Sequence, residues 1–289
     1  MAASVLFDEP GPRTRARHRL YGAALLLVIA AFLVWIYLRL HDEGEFSQRI
    51  FDDLSQDNVL TAIGDGVVAT LKAAAISIVL AVLFGFLLAA GRLSDHAWVR
   101  VPSRLVIEFF RAVPVVLMMI FFFGWLAVNT ELETQRQALI AVVAALMFYN
   151  GSVLAEVFRA GINAVPKGQV EAAYAIGLRK GQVLRMIQTP QAVRYMLPTI
   201  ISQCVVTLKD TSLGYIITYQ ELLREGRGIA EFIGNNLTVF LVIAVIYIAM
   251  NSVLSALAFW LERRLATRGI RPVETPGLGA EDGSHTTVG

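Results

Sequence analysis

The chain has 289 residues, 56% of them hydrophobic and 17% charged, with a mean hydropathy of +0.61. That balance excludes an ordinary soluble domain and implies an all-α polytopic membrane helix bundle. The net charge of +2 carries no case for nucleic acid, and the single cysteine, Cys204, allows neither an intramolecular disulfide nor a cysteine-built metal site.

Residues 1–19 are polar and carry Arg13, Arg15, Arg17 and Arg19 ahead of an uncharged run from Leu20 to Leu38. A basic start before an apolar run also describes a signal peptide. The run exceeds the usual core of about 7 to 15 residues, however, and no small-x-small cleavage site follows it. A first transmembrane helix over 20–40 is expected, with 1–19 as a cytosolic tail. Residues 41–63 form an acidic extracytoplasmic segment.

The second span runs from about Ala73 to Gly91, and 92–104 is a short basic loop. The third starts near Leu105 and holds Glu108, Arg111 and Pro114. Glu108 and Arg111 share a helical face and are expected to pair and to face the bundle, because charge in lipid is costly. The fourth span, Gln137 to Ala155, is followed by Glu156 and Arg159 at the same spacing. For both pairs structural clamping is favoured over substrate contact.

Residues 164–198 are a polar island between two apolar segments. Pro166 suits a helix start, and Val170, Ala173, Tyr174, Gly177 and Leu178 make a narrow stripe. Gly181 is expected to interrupt it, and a second short helix over Val183, Leu184 and Ile187 to stop before Pro190. The fifth span is uncharged from Tyr195 to Leu208 and then meets Lys209, Asp210, Thr211 and Ser212. Lys209 lies about 20 Å along that helix, within a hydrocarbon thickness of about 30 Å. This turn is a candidate substrate pathway, and a structural polar anchor is an equal alternative. A sixth span lies within Phe232 to Leu261, and the 263–289 tail is expected to be cytosolic and disordered.

With the N-terminus inside, seventeen of the 25 Lys and Arg fall in cytosolic segments, while the outer segments hold only Arg39, Arg49, Arg136, Arg224 and Arg227. The positive-inside rule favours this six-span layout, with both termini cytoplasmic. No Gly-x-x-x-x-Gly-Lys-Ser/Thr loop, His-Glu-x-x-His or Gly-x-Ser-x-Gly occurs, so a membrane enzyme is disfavoured and energy must come from elsewhere.

Glu171-Ala172-Ala173, then Gly177, Ile187 and Pro190, resembles the EAA coupling loop of ATP-binding-cassette importer permeases. Thr189 departs from it where that family usually has Leu. Gly66-x-x-x-Thr70-Leu71, Glu156-x-x-Arg159-x-Gly161-Ile162 and Lys209-Asp210-Thr211-Ser212-Leu213 are similar to the branch that imports polar amino acids. Arg111-Ala112-Val113-Pro114 keeps the arginine and proline of that branch and changes the middle pair. The resemblance implies a type I importer transmembrane domain over 64–262, with its coupling loop at 164–194. It implies a bacterial inner-membrane location, a second permease, two cytosolic P-loop ATPases that bind the ATP and Mg, and an extracytoplasmic solute-binding protein. No cofactor or metal is implied on this chain itself. The extra N-terminal span is similar to the glutamate uptake permeases of actinobacteria, so glutamate, aspartate or glutamine is the expected cargo. The competing reading is an ion-coupled secondary transporter using Lys209 and Asp210. The lack of a second copy of either motif argues against that reading.

Overall fold

The computed structural model describes residues 11–42, 44–45 and 47–266, which hold helices and no strand. In chain order these are α1 (Pro12–Asp42), α2 (Gln48–Leu54), α3 (Asp57–Arg92), α4 (Ala97–Ala112), α5 (Val115–Asn129), α6 (Thr134–Asn163), α7 (Lys167–Ala175), α8 (Lys180–Gln182), α9 (Thr189–Asp210), α10 (Leu222–Ile233) and α11 (Asn236–Ala266). A π-helical turn, Val183–Gln188, joins α8 to α9, and a 3-10 turn, Thr211–Ile217, follows α9.

Helices α1, α3, α6 and α11 are each long and apolar enough to cross a membrane, and α4 with α5 makes a fifth span if counted as one. The remaining expected span, the fifth in chain order, is α9, long enough at about 33 Å but charged by Arg194, Lys209 and Asp210. The third span is not straight, because α4 and α5 meet at 98°. Pro114 forces Val113 into extended geometry (φ −81°, ψ 127°), which ends α4. Phe110 then stacks on Phe148 of α6 with centroids 4.5 Å apart, holding the bend against the bundle. Two boundaries also move: helix α1 takes in the polar residues from Pro12, and α11 runs on to Ala266. Most of the expected C-terminal tail, 267–289, lies outside the described residues.

The centre is the contact of α3 with α6, lined by Ala73, Ala138, Ala141, Val142 and Ala145. Small residues let the backbones approach: a Cβ on Gly85 would sit 2.7 Å from the Gly151 carbonyl oxygen. A second core joins α2, α3, α10 and α11 through Ile50, Val59, Leu222, Ile229 and Ile243. In contrast, the most apolar stretch of α1 buries nothing against this chain.

Candidate functional site

The island between α6 and α9 is ordered from both ends. Pro166 caps α7 in extended geometry, and α7 ends with Gly177 at φ +86°. The Gly177 amide donates to the Tyr174 carbonyl (2.9 Å) and Leu178 to Ala173 (3.1 Å), the two bonds of a Schellman ending. The break therefore falls at Gly177 rather than at Gly181, because only the former occupies the left-handed region.

The second expected stop is also absent. The chain stays helical from Lys180 through Pro190 to Asp210. Pro190 cannot donate a backbone bond and its ring crowds the preceding turn. The wider π turn before it takes up that strain, and the Thr189 hydroxyl donates to the Leu184 carbonyl at 2.8 Å. Thr189 thus has a specific partner at the position where it departs from the EAA pattern.

Val165, Val170 and Leu184 seat this segment on Ile162, Ala192 and Met196. Ala173 and Val183 are buried, Ile187 is half-buried, and Glu171, Ala172, Gly177 and Pro190 are exposed. Beside them Ile176 is 79% and Met186 61% exposed, and Lys167, Arg179 and Arg185 are exposed as well, so the outward face mixes apolar side chains with several bases and one carboxylate. Lys180 donates to the Leu93 carbonyl at 2.9 Å and to the Asp95 carboxylate, tying the segment to the α3–α4 loop. The Lys180 ammonium bonded to Asp95 holds that carboxyl below its ordinary range.

Glu156 pairs with Arg159 at 2.8 Å and also receives Arg92 at 3.3 Å, joining α3 to α6. Glu108 does not pair with Arg111. It accepts from Arg104 at 2.6 Å, one turn back, and both Glu108 and Arg111 lie exposed on this chain rather than facing its bundle. Arg104 at i−4 and Arg111 at i+3 both lie within α4 on the helical face of Glu108, so spacing allows either pair and the structure takes Arg104.

The polar turn is where α9 gives way to the 3-10 turn. Thr211 donates to the Leu208 carbonyl (2.7 Å) and Ser212 to Lys209 (2.8 Å), so both hydroxyls first serve the backbone. Lys209 and Ser212 line an open groove of about 440 Å³ against α10 and α11, with Tyr247 and Asn251 opposite. Asp210 is not in that lining. The two adjacent charges therefore do not converge on one space.

Residues 81–267 match the family described as binding-protein-dependent transport system inner membrane component. The chain belongs to this family. It is 44% identical over 234 residues to the glutamate transport system permease protein GluD of Corynebacterium glutamicum, covering 79% of this chain and 86% of that protein. It is 37% identical over 211 residues to the probable glutamine ABC transporter permease protein GlnP of Bacillus subtilis, covering 71% and 94%. A crystal structure of an amino acid ABC transporter with histidines superposes with a TM-score of 0.67 at 27% identity, covering 73% of this chain and 97% of that one.

As an inner membrane component of this family, the chain is a permease subunit of an amino-acid ABC importer, a transport component rather than an enzyme, and works in a system with partner subunits. One buried group in this permease escapes the motif reading. Glu221 is fully buried, caps α10 by accepting from Leu223 and Arg224 amides (2.8 Å each), and takes the Tyr247 hydroxyl. Thr70 of α3 accepts from the Leu222 amide at 3.1 Å beside it. The signal available in the sequence was an acid directly ahead of an amphipathic 222–233 stretch, the position of an N-cap.

Proposed function

We propose that this permease forms half of the pathway of an ATP-driven importer of acidic amino acids. It pairs with a second permease, takes ligand from an extracytoplasmic binding protein, and docks on two cytosolic P-loop ATPases that hold the ATP and Mg. Both termini lie in the cytoplasm, and the transmembrane domain occupies 64–262 after the extra N-terminal span and outer segment.

The observation that carries the reading is the 164–194 segment, anchored on one side and exposing Glu171, Ala172, Gly177, Ile176 and Met186 on the other. Exposed Ile176 and Met186, flanked by Glu171 and by the exposed bases Lys167, Arg179 and Arg185, suit insertion into a groove with a polar rim on a partner. From that patch the helical run from Lys180 to Asp210 spans about 46 Å at 1.5 Å per residue, ending at the polar turn. Closure of the ATPase pair on ATP would push this rod and reorient the turn, and product release would reverse it. Glu156 with Arg92 and Arg159, and Glu108 with Arg104, act as clamps. Lys209 and Ser212 meet the substrate, while Asp210 and Thr211 shape the turn. The assignment to acidic cargo rests on the 44% identity to GluD, a glutamate transport system permease protein.

Affinity capture of the chain from native membranes, with mass spectrometry of what accompanies it, tests the assembly. Recovery of a P-loop ATPase and a permease partner is expected. Recovery of the chain alone would overturn it.

A further inference from the structure

The 164–194 segment hangs between two helices, α6 entering it and α9 leaving it, and those helices meet at two levels. At the base a Cβ on Gly161 would lie 2.5 Å from the Met196 side chain, and Ile162 packs with Ala192. About 20 Å further along, within a hydrocarbon thickness of about 30 Å, the Gln203 amide of α9 donates to the Asn150 side-chain oxygen of α6 at 2.5 Å. Among the described residues this is the one side-chain hydrogen bond that joins α6 to α9.

Asn150 is fully buried and its own amide nitrogen has no partner, so the contact carries a desolvation cost that an apolar pair would not. Its neighbour Gly151 seats α6 on α3, where an added Cβ would lie 3.0 Å from the Ala81 carbonyl oxygen. On the other helix Pro198 stands between the two levels. A proline has no N–H for the Arg194 carbonyl one turn back, which leaves α9 easier to bend just above its base. Nearby contacts of α9 through Ile200 and Ile201 are apolar, hence non-directional and tolerant of sliding.

We infer that Asn150 and Gln203 are positioning residues for coupling: their bond pins α9 to α6 above Pro198, so that force entering at 164–194 moves both helices together and reaches the turn at Lys209 to Ser212. Without the pin, a push on the base is absorbed by bending at Pro198, and the ATPase turns over without moving that turn. A hydrogen bond suits the task because it fixes register as well as distance. This rests on the importer reading above, and it makes the paired helices, rather than α9 alone, the transmitting element.

The test is uptake of tritiated glutamate per ATP hydrolysed, in proteoliposomes holding the complete system, beside the melting temperature of each complex. Asn150→Leu and Gln203→Met should each lower uptake per ATP about three- to tenfold, as expected for loss of one buried amide bond, while the ATPase stays bound. Combining them removes both polar groups and should restore the melting temperature without restoring the ratio, because apolar packing stabilises but does not pin. The exchanged pair, Asn150→Gln with Gln203→Asn, should regain coupling, and Pro198→Ala added to Asn150→Leu should regain part of it by stiffening α9. An unchanged ratio in Asn150→Leu, or parental coupling in the doubly apolar variant, would overturn the inference. Failure of the importer reading is separately visible, as absence of ATP-driven uptake of any amino acid by the parent.

Discussion

Lys180 at the start of α8 bonds the Leu93 carbonyl 87 residues away, at 2.9 Å, and closes on Asp95 in the same loop. The 164–194 segment, proposed above as the docking element, is thereby fastened to the end of α3, where Arg92 meets Glu156. Lys180→Met should leave insertion intact and lower uptake relative to ATP hydrolysis, measured together in proteoliposomes. An unchanged ratio would remove this tether from the coupling route.

The tether also has a definite pH sign. Its Asp95 carboxyl is held below the ordinary value by the Lys180 hydrogen bond, so its contribution is present above the unfolded pKa of about 3.9 and is lost only as pH falls through the lower folded value. The coupling difference between Asp95→Asn and the parent should therefore stay constant from neutral to mildly acidic pH. A difference that shrinks towards mildly acidic pH would place the titration elsewhere.

At Gly177 the constraint is backbone conformation, because nothing lies within 4 Å of an added Cβ and φ is +86°. Gly177→Val should cost about 1–2 kcal/mol locally and loosen the Schellman ending. Gly177→Asn should do less harm, since Asn tolerates the left-handed region. Co-purification of the ATPase with each variant measures this, and Val and Asn behaving alike would contradict it. Glu171→Lys, on the same exposed face, should also lose the ATPase while inserting normally.

Gly151 presents the opposite case, because a Cβ there would lie 2.7 Å from the Phe84 ring and 3.0 Å from the Ala81 carbonyl oxygen. Gly151→Val should separate α3 from α6 and cost about 1–3 kcal/mol by overpacking. Its melting temperature in detergent should fall well below that of Gly168→Val, where nothing lies within 4 Å. Equal melting temperatures would mean that the close approach is not limiting.

Replacing Glu221 by Ala strands two α10 amides and the Tyr247 hydroxyl in a buried site, at about 1–3 kcal/mol for each unsatisfied group. Glu221→Gln keeps an acceptor and should melt closer to the parent. If Ala and Gln variants melt together, the cap is not what holds α10 to α3 and α11.

Hydropathy alone located α1, α3, α6 and α11, because a 30 Å apolar slab leaves a long uncharged run in any sequence. The 98° bend at Val113 and Pro114 was legible only as a proline. Its angle depends on where Phe110 finds Phe148, a tertiary contact that no local pattern encodes. Gly177 and Gly181 are indistinguishable as glycines, and the choice between them is made by the half-buried Leu178 closing the Schellman ending. Pro190 reads as a stop until the π turn and the Thr189 hydroxyl are seen to accommodate it. Glu156 and Arg159 pair as their spacing implies, whereas Glu108 turns back to Arg104 because two bases lie within reach and spacing does not rank them.

Under the proposed function, this permease moves amino acids only when an ATPase drives it through the 164–194 segment. The most direct test is uptake of tritiated glutamate into proteoliposomes holding the purified complex, with ATP and binding protein supplied or withheld. Uptake that requires both, and that Gly177→Val abolishes, is the predicted result. Uptake by the chain alone under an ion gradient, indifferent to ATP and to Gly177→Val, would overturn the proposed function and favour an ion-coupled carrier.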